Sequence, residues 1–228
     1  MAEAVFSVSF AGPLVTFQDA GRPGNMRCGV PASGPMDRLA LEAAHAALGN
    51  AADQSAIEIS LGGLVLQCTD SAVIVSITGG DFVIQHGGQK FTSWTVLTVR
   101  KGERLSISAG KAGSWAYLPF AGRVDTVAWL GSQATHSTSG FGGGALQTGA
   151  RIKITETSTH EDRTGEIVQP DFASQGSIRV VTGPQDQHFL RGSVERFLTG
   201  PYNVTDAYDR MGMRLNGPRL ELDGALSI

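Results

Sequence analysis

The chain has 228 residues, 41% of them hydrophobic and 17% charged, with a formal net charge of −3, so it carries enough apolar material for one large domain or two small ones. Its lysines (Lys90, Lys101, Lys111, Lys153) are scattered and its arginines form no stripe, which excludes an electrostatic footprint for nucleic acid or an anionic membrane; no long apolar run could span a bilayer. Cys28 and Cys68 stand alone, outside any Cys-x-x-Cys pair and away from His at metal-ligand spacing, so neither a disulfide framework nor a metal site is expected. A reducing, cytoplasmic compartment fits, and the N-terminus has no basic, apolar leader pattern.

In chain order, "VFSVSF" reads as a first strand. Thr16 to Ala40, "TFQDAGRPGNMRCGVPASGPMDRLA", follows with four glycines and three prolines, unsuited to strand or helix, and a loop of this length inside a compact domain is usually a binding element. A helix is predicted in "MDRLALEAAHAALGN", with Leu39, Ala43 and Ala46 on one face, Leu41, Ala44 and Leu48 on an adjoining one, and Gly49-Asn50 as C-terminal cap. Short strands follow: "AIEIS", "GLVLQC", "AVIVSI", "FVIQH", "TVLTV", "RLSIS", "WAYLPFA", "RIKIT" and "IRVVTG". Turn signals recur roughly every 8 to 12 residues, the spacing of a sandwich or barrel.

The polar stretch from Glu156 to Gly176 reads as an exposed connector, which places a boundary between residues 1–170 and 171–228. A second helix is predicted around "DQHFLRGSVERFL", interrupted by Gly192. Asp223-Gly224 reads as a hairpin turn with too few residues after it for the returning strand, so the second domain is expected to be incomplete. An open sheet edge there would favour homo-oligomer formation.

No P-loop, G-x-S-x-G or H-E-x-x-H pattern occurs, and no lysine sits between methionines as a biotin acceptor would. Asp19 and Arg22 flank a glycine in the long loop. Side by side they could orient a carboxylate, amide or phosphate; alternatively Asp19 caps the turn and Arg22 pairs with it. Ser33 and Asp37 sit where the helix begins, either at an anion site or as N-caps. Gly142 and Gly143, within "GFGGGALQTG", could form an anion-binding nest or a flexible hairpin. His136 and His188 could exchange protons near neutral pH. Glu58, between Ile57 and Ile59, is expected to face solvent or a cleft.

Several blocks, in order, resemble the allophanate hydrolase subunit 2 family: "VTFQDAGRPGNMRCGVPASGPMDRLALEAAHAALGN", "SAIEISLGGLVLQC", "SITGGDF", "WAYLPFAG", "LGSQATHSTSGFGGGALQTG", "VTGPQDQHF" and "YDRMGMRLNGPRL". This is the biotin-dependent carboxyltransferase subunit family that includes the C-type subunit of 5-oxoprolinase and KipA. The resemblance implies a mainly β, cyclophilin-like barrel architecture with few helices. It also implies a subunit-1 or B-type (KipI-like) partner, with an A-type 5-oxoprolinase subunit as a further one, and no biotin on this chain.

Gln18, Asp19, Arg22, Ser33 and Asp37 would then line a cleft at the partner boundary. Glu58, His136, Gly142, Gly143 and Arg210 would add binding contacts. The implied reaction is ATP-driven opening of the 5-oxoproline lactam, with Arg22 and the Gly140–Gly149 loop holding anionic groups and Asp19 or Asp37 handling a proton or metal. The alternatives are a urea carboxylase-type carboxyltransferase and a KipA-like regulator that sequesters a kinase inhibitor. The chain departs from the family where G-S-R-S-T is usual, having Gly131-Ser132-Gln133-Ala134-Thr135, and where an Arg and an acid are usual, having Gly144-Ala145-Leu146 and Gly149-Ala150. The Gln-x-Pro-x-x-Gly and Thr-Thr-Gly-Gly-Tyr segments of relatives are not found.

Overall fold

The computed structural model describes residues 2–158, 160–170 and 178–224. The chain divides into two compact units, 1–170 and 171–228.

The first unit is mainly β. In chain order it comprises β1 (Ala4–Ala11), β2 (Thr16–Gln18), α1 (Arg38–Leu48), β3 (Ala56–Ser60), β4 (Leu64–Cys68), β5 (Val73–Gly79), β6 (Phe82–His86), β7 (Gln89–Thr92), β8 (Thr95–Val99), β9 (Arg104–Ala109), β10 (Trp115–Leu118), β11 (Arg123–Val124), β12 (Arg151–Thr155) and β13 (Gly165–Glu166). The strands form a seven-stranded sheet, β11-β12-β1-β4-β9-β6-β7, and a six-stranded sheet, β13-β8-β5-β10-β3-β2. All their pairings are antiparallel. Neither sheet closes on itself. Alternate residues of both, among them Phe6, Val8, Ile57, Ile59, Leu64, Leu66, Val75, Ile77 and Ile107, meet in one core, each such side chain contributing about 1.5–3 kcal/mol when fully buried.

The second face of the six-stranded sheet is covered as well. Ala40, Leu41 and Ala44 of α1 pack on Ala56, Trp94 and Tyr117, and Leu48 packs on Ile74, Val96 and Ala121. Thr78 Oγ1 donates to the Ala40 carbonyl at 2.7 Å and Ser76 Oγ to that of Ala44 at 2.8 Å. Strands β3, β5 and β8 are consequently buried along their whole length, as strands covered on both faces must be. Of the two adjoining faces its spacing suggested, the helix turns one to the sheet: Leu41, Ala44 and Leu48 are buried together with Ala40 and His45, whereas Leu39 and Ala46 of the other face are exposed. Gly49, at φ +73, caps the helix as expected.

The second unit contains α2 (Arg191–Thr199), which accommodates Gly192, and a two-stranded sheet of β14 (Asn203–Tyr208) and β15 (Met213–Asn216). Its one buried residue among those described is Ser193. The strand expected at "IRVVTG" is absent from residues 178–183: they join no ladder, and Ile178 and Val181 are 89% and 96% exposed. β propensity alone does not make a strand without a neighbour to pair with. The returning strand after Asp223-Gly224 would fall on residues 225–228, outside the described residues, as does part of the connector.

Candidate active site

The long opening loop is tied down by its own polar residues. Asp19, 6% exposed, accepts from Gly21 N at 2.8 Å, from Ser132 Oγ at 2.6 Å and from Gln133 N at 2.6 Å. Arg22, 2% exposed, donates through Nε to the Trp129 carbonyl at 3.2 Å, through Nη1 to Ser33 Oγ at 2.8 Å and through Nη2 to the Ala134 carbonyl. Its guanidinium also lies 4.9 Å from the Trp129 ring centroid, a cation–π geometry. Burial pulls this guanidinium below its ordinary pKa, and the Asp19 carboxylate opposes the shift. Together Asp19 and Arg22 clamp the segment 129–135 onto the loop. Asp19 thus caps the turn at Gly21, whereas the Arg22 guanidinium is bonded to Trp129, Ser33 and Ala134 instead of pairing with Asp19 as the capping alternative expected.

Ser33 adopts φ +56, uncommon for a residue with a side chain, and so brings its hydroxyl to Arg22. Asp37 is the N-cap of α1, accepting from Ala40 N at 3.0 Å. Its own N–H donates to Tyr117 Oη at 2.6 Å. Glu58 is fully buried, not turned to solvent: its Oε2 accepts from Met36 N at 2.8 Å and from Tyr117 Oη at 3.0 Å. Burial raises the Tyr117 phenol above its ordinary pKa, so it stays a protonated donor to Glu58. Gln18 is also fully buried and donates to Thr16 Oγ1 at 2.9 Å and the Thr135 carbonyl at 3.3 Å.

The glycine-rich loop is similarly engaged. Gly143 N donates to the Gln133 carbonyl at 2.8 Å and Gly140 N to that of His136 at 2.9 Å. A Cβ on Gly143 would meet Phe17 Cβ at 2.7 Å, and one on Gly142, at φ +92, would strike the Ala134 carbonyl. Gly142 and Gly143 permit close packing, and the N–H groups of Gly140 and Gly143 point to protein carbonyls. His136 stays within its own hairpin, its Nδ1 bonded to Ser139 Oγ at 2.7 Å and its N–H to the Phe141 carbonyl at 2.9 Å. Arg210 lies in the second unit between β14 and β15, half-buried, with its guanidinium lowered to about 10 by burial. His188 is in the second unit also, in a short 3-10 turn.

Of the candidate residues, Asp19 alone lines the cleft that these clamps shape, a space of about 450 Å³ bounded by Asp53, Gln54, Ser55, Arg123, Asp125, Gly131 and Gln133 among others. Ser55 Oγ donates to Gln133 Oε1 at 2.5 Å, and Gln133 Nε2 donates to the Val124 and Thr126 carbonyls at 3.3 and 3.0 Å. Arg123 pairs with Glu156 at 3.7 Å. A second space of about 530 Å³ lies beyond the β6–β7 hairpin and contains His86, Lys90, Glu103 and Arg104, none of them a sequence candidate. Sequence reasoning missed Asp53, Ser55, Asp125 and Tyr117. Gln133 entered it only as a departure from the family pattern, which was the one signal pointing to it.

Residues 28–227 match the family model for the carboxyltransferase domain, subdomains A and B, and the chain belongs to that family. It is 29% identical over 214 residues to the C-type subunit of the 5-oxoprolinase of Escherichia coli (strain K12), covering 92% of this chain and 68% of that one. It is 30% identical over 230 residues to the urea amidolyase of Saccharomyces cerevisiae, covering 93% of this chain but 12% of that enzyme. The crystal structure of the K. lactis urea amidolyase resembles it with a TM-score of 0.78 at 26% identity, over 96% of this chain and 14% of that chain. Among the described residues no helix is long and apolar enough to cross a membrane.

Proposed function

We propose that this chain is a subunit of a 5-oxoprolinase-type enzyme, which opens a small cyclic amide, 5-oxoproline, to glutamate with ATP. The observation that carries this reading is the match to the C-type 5-oxoprolinase subunit over 92% of this chain and 68% of the relative, against 12% of the yeast urea amidolyase. The relative's name as a subunit implies companions, and we assign to this chain a B-type and an A-type partner. The cleft beside Asp19 is of a size for a small amide. Its walls are held by the Asp19 and Arg22 clamps, as a preorganised site requires.

The nucleotide is a different matter. The donors of the Gly140–Gly149 loop at Gly140 and Gly143 and three N–H groups of Arg22 are already bonded within the protein. These residues do not fit a triphosphate, so ATP binding falls to another subunit and no phosphoryl step is assigned to this chain. A second reading, carboxyl transfer of the urea amidolyase kind, is favoured by the family itself and by the K. lactis likeness. It requires a biotin borne elsewhere.

The test is ADP release on adding 5-oxoproline to this chain mixed with A-type and B-type subunits, each omitted in turn. Release that disappears without this chain is expected. Release that is indifferent to it, in a mixture shown to contain the assembled complex, overturns the proposal, and biotin-dependent carboxyl transfer replaces it with the second reading.

A further inference from the structure

We infer that the outer face of the seven-stranded sheet is a docking surface for a companion protein with an acidic surface, held through Lys90, Arg104 and Arg151. This rests on the reading of the chain as one subunit of a complex and adds the surface by which a companion is held.

The first observation is the sign of charge on the strands. β11, β12, β1, β4, β9, β6 and β7 contain no Asp or Glu, although the chain has 21 of them, and they carry Lys90, Arg104, Arg123, Arg151 and Lys153. Their neighbours Ile84, Leu105, Val124, Ile152 and Ile154 take the core side, so strand alternation turns the five cations to the opposite face, where all are exposed. Scattered in sequence, these cations are gathered by strand pairing. Arg104 lies opposite Gln67, Gln67 opposite Ser7, and Ser7 opposite Arg151. The row crosses four strands and sets its two arginines about 14 Å apart at the backbone. Lys90 lies opposite Gln85, and Gln85 opposite Ser106, in a neighbouring row.

The second observation is that three of the cations are available. The carboxylates next to these strands are engaged elsewhere: Glu3 with Lys153 at 2.9 Å, Glu156 with Arg123 at 3.7 Å, and Glu103 with His86 Nε2 at 2.9 Å and Arg100 N at 2.8 Å. Lys90, Arg104 and Arg151 join no ion pair among the described residues. The third is a hollow. Lys90, Arg104, Gln85 and Ser106 line the space of about 530 Å³ beyond the β6–β7 hairpin. A carboxylate side chain entering it meets two cations and two neutral donors. A face of this sign attracts an acidic surface and repels a basic one.

The apolar content decides between protein and nucleic acid. Half-buried Val5, Val65 and Val83, with Phe10 at 48% exposure, lie among the cations on the same face. Mixed apolar and charged side chains suit a protein surface. Nucleic acid calls for cations that track phosphates or for several rings to stack bases, and Phe10 is the single ring here.

The experiment is a calorimetric titration of the full chain with the A-type and the B-type subunit in turn, at low and near-physiological salt. Arg104→Glu combined with Arg151→Glu is compared with Arg38→Glu combined with Lys111→Glu, an equal change of charge at exposed positions off this face, each variant first checked for unchanged thermal unfolding. One companion is expected to bind the unaltered chain, and the reversal on the face to weaken it by about tenfold or more, less so as salt rises. The control is expected to stay within about twofold. A short random-sequence DNA duplex is expected not to bind at near-physiological salt. The inference is overturned if neither companion binds, if both double variants weaken binding alike, or if the face reversal leaves it unchanged. DNA binding that the face reversal abolishes makes this a nucleic-acid surface and overturns it too. The titration does not read ATP turnover, so a complex held through this face that leaves 5-oxoproline intact fails the functional reading alone.

Discussion

Replacing Asp19 by Asn tests the clamp directly. The carboxylate accepts three hydrogen bonds at 2.6 to 2.8 Å, two on Oδ1 from Gly21 N and Ser132 Oγ and one on Oδ2 from Gln133 N. Asparagine preserves the size and one oxygen, so the first two can survive without the charge. At the Oδ2 position its amide nitrogen would confront the Gln133 N–H, donor against donor. Hydrogen bonds to a charged group contribute about 1.5–3 kcal/mol net, and the stranded donor adds its own penalty, so a loss of about 2–4 kcal/mol is expected. For a unit of this size that lowers Tm by about 4–16 °C. Urea unfolding followed by amide hydrogen exchange of residues 129–135 measures both parts, and exchange in that segment should accelerate most. Asp37→Asn is the control, because Asn caps helices as well as Asp and its cost should stay within a few tenths of a kcal/mol. If Asp19→Asn costs less than about 0.5 kcal/mol and leaves the exchange of 129–135 unchanged, Asp19 is not the clamp and its role as a proton-handling group returns.

Three further outcomes follow from the same contacts. His45, 1% exposed, has its pKa lowered from 6.5 to about 4, chiefly by burial. The unfolded chain then takes up the proton first as pH falls, so stability is full above about pH 6.5, drops by about 3 kcal/mol towards pH 4, and His45→Gln should flatten that part of a urea-unfolding pH profile. Gly143→Ala, which drives a methyl against Phe17 and the Gln133 carbonyl, should cost about 1–3 kcal/mol in thermal unfolding. Arg22→Lys cannot reach Trp129, Ser33 and Ala134 together, and should cost about 2 kcal/mol or more despite its retained charge.

Much of this was legible from local pattern. The glycine and proline content of Thr16–Ala40 marked a built loop, the spacing from Asp37 to Gly49 marked a capped helix, and alternation marked most strands. The partners of Asp19 and Arg22 in the segment 129–135 were not legible, because they lie more than 100 residues away in sequence. Glu58 shows a second limit. Strand alternation tells which side chains oppose the core but not whether α1 and its N-terminal loop will cover the other face, and here they do. At "IRVVTG" propensity pointed to a strand whose pairing the described residues do not supply.

The most direct test of the account is 5-oxoproline-dependent ADP release by the assembled complex carrying Gln54→Met, which removes an amide lining the cleft beside Asp19, compared with Arg104→Ala, in the space beyond the β6–β7 hairpin. The account expects turnover per unit substrate to fall by about tenfold or more for Gln54→Met and to hold within about twofold for Arg104→Ala. Equal turnover for Gln54→Met and the unaltered complex, or a loss confined to Arg104→Ala, would contradict it.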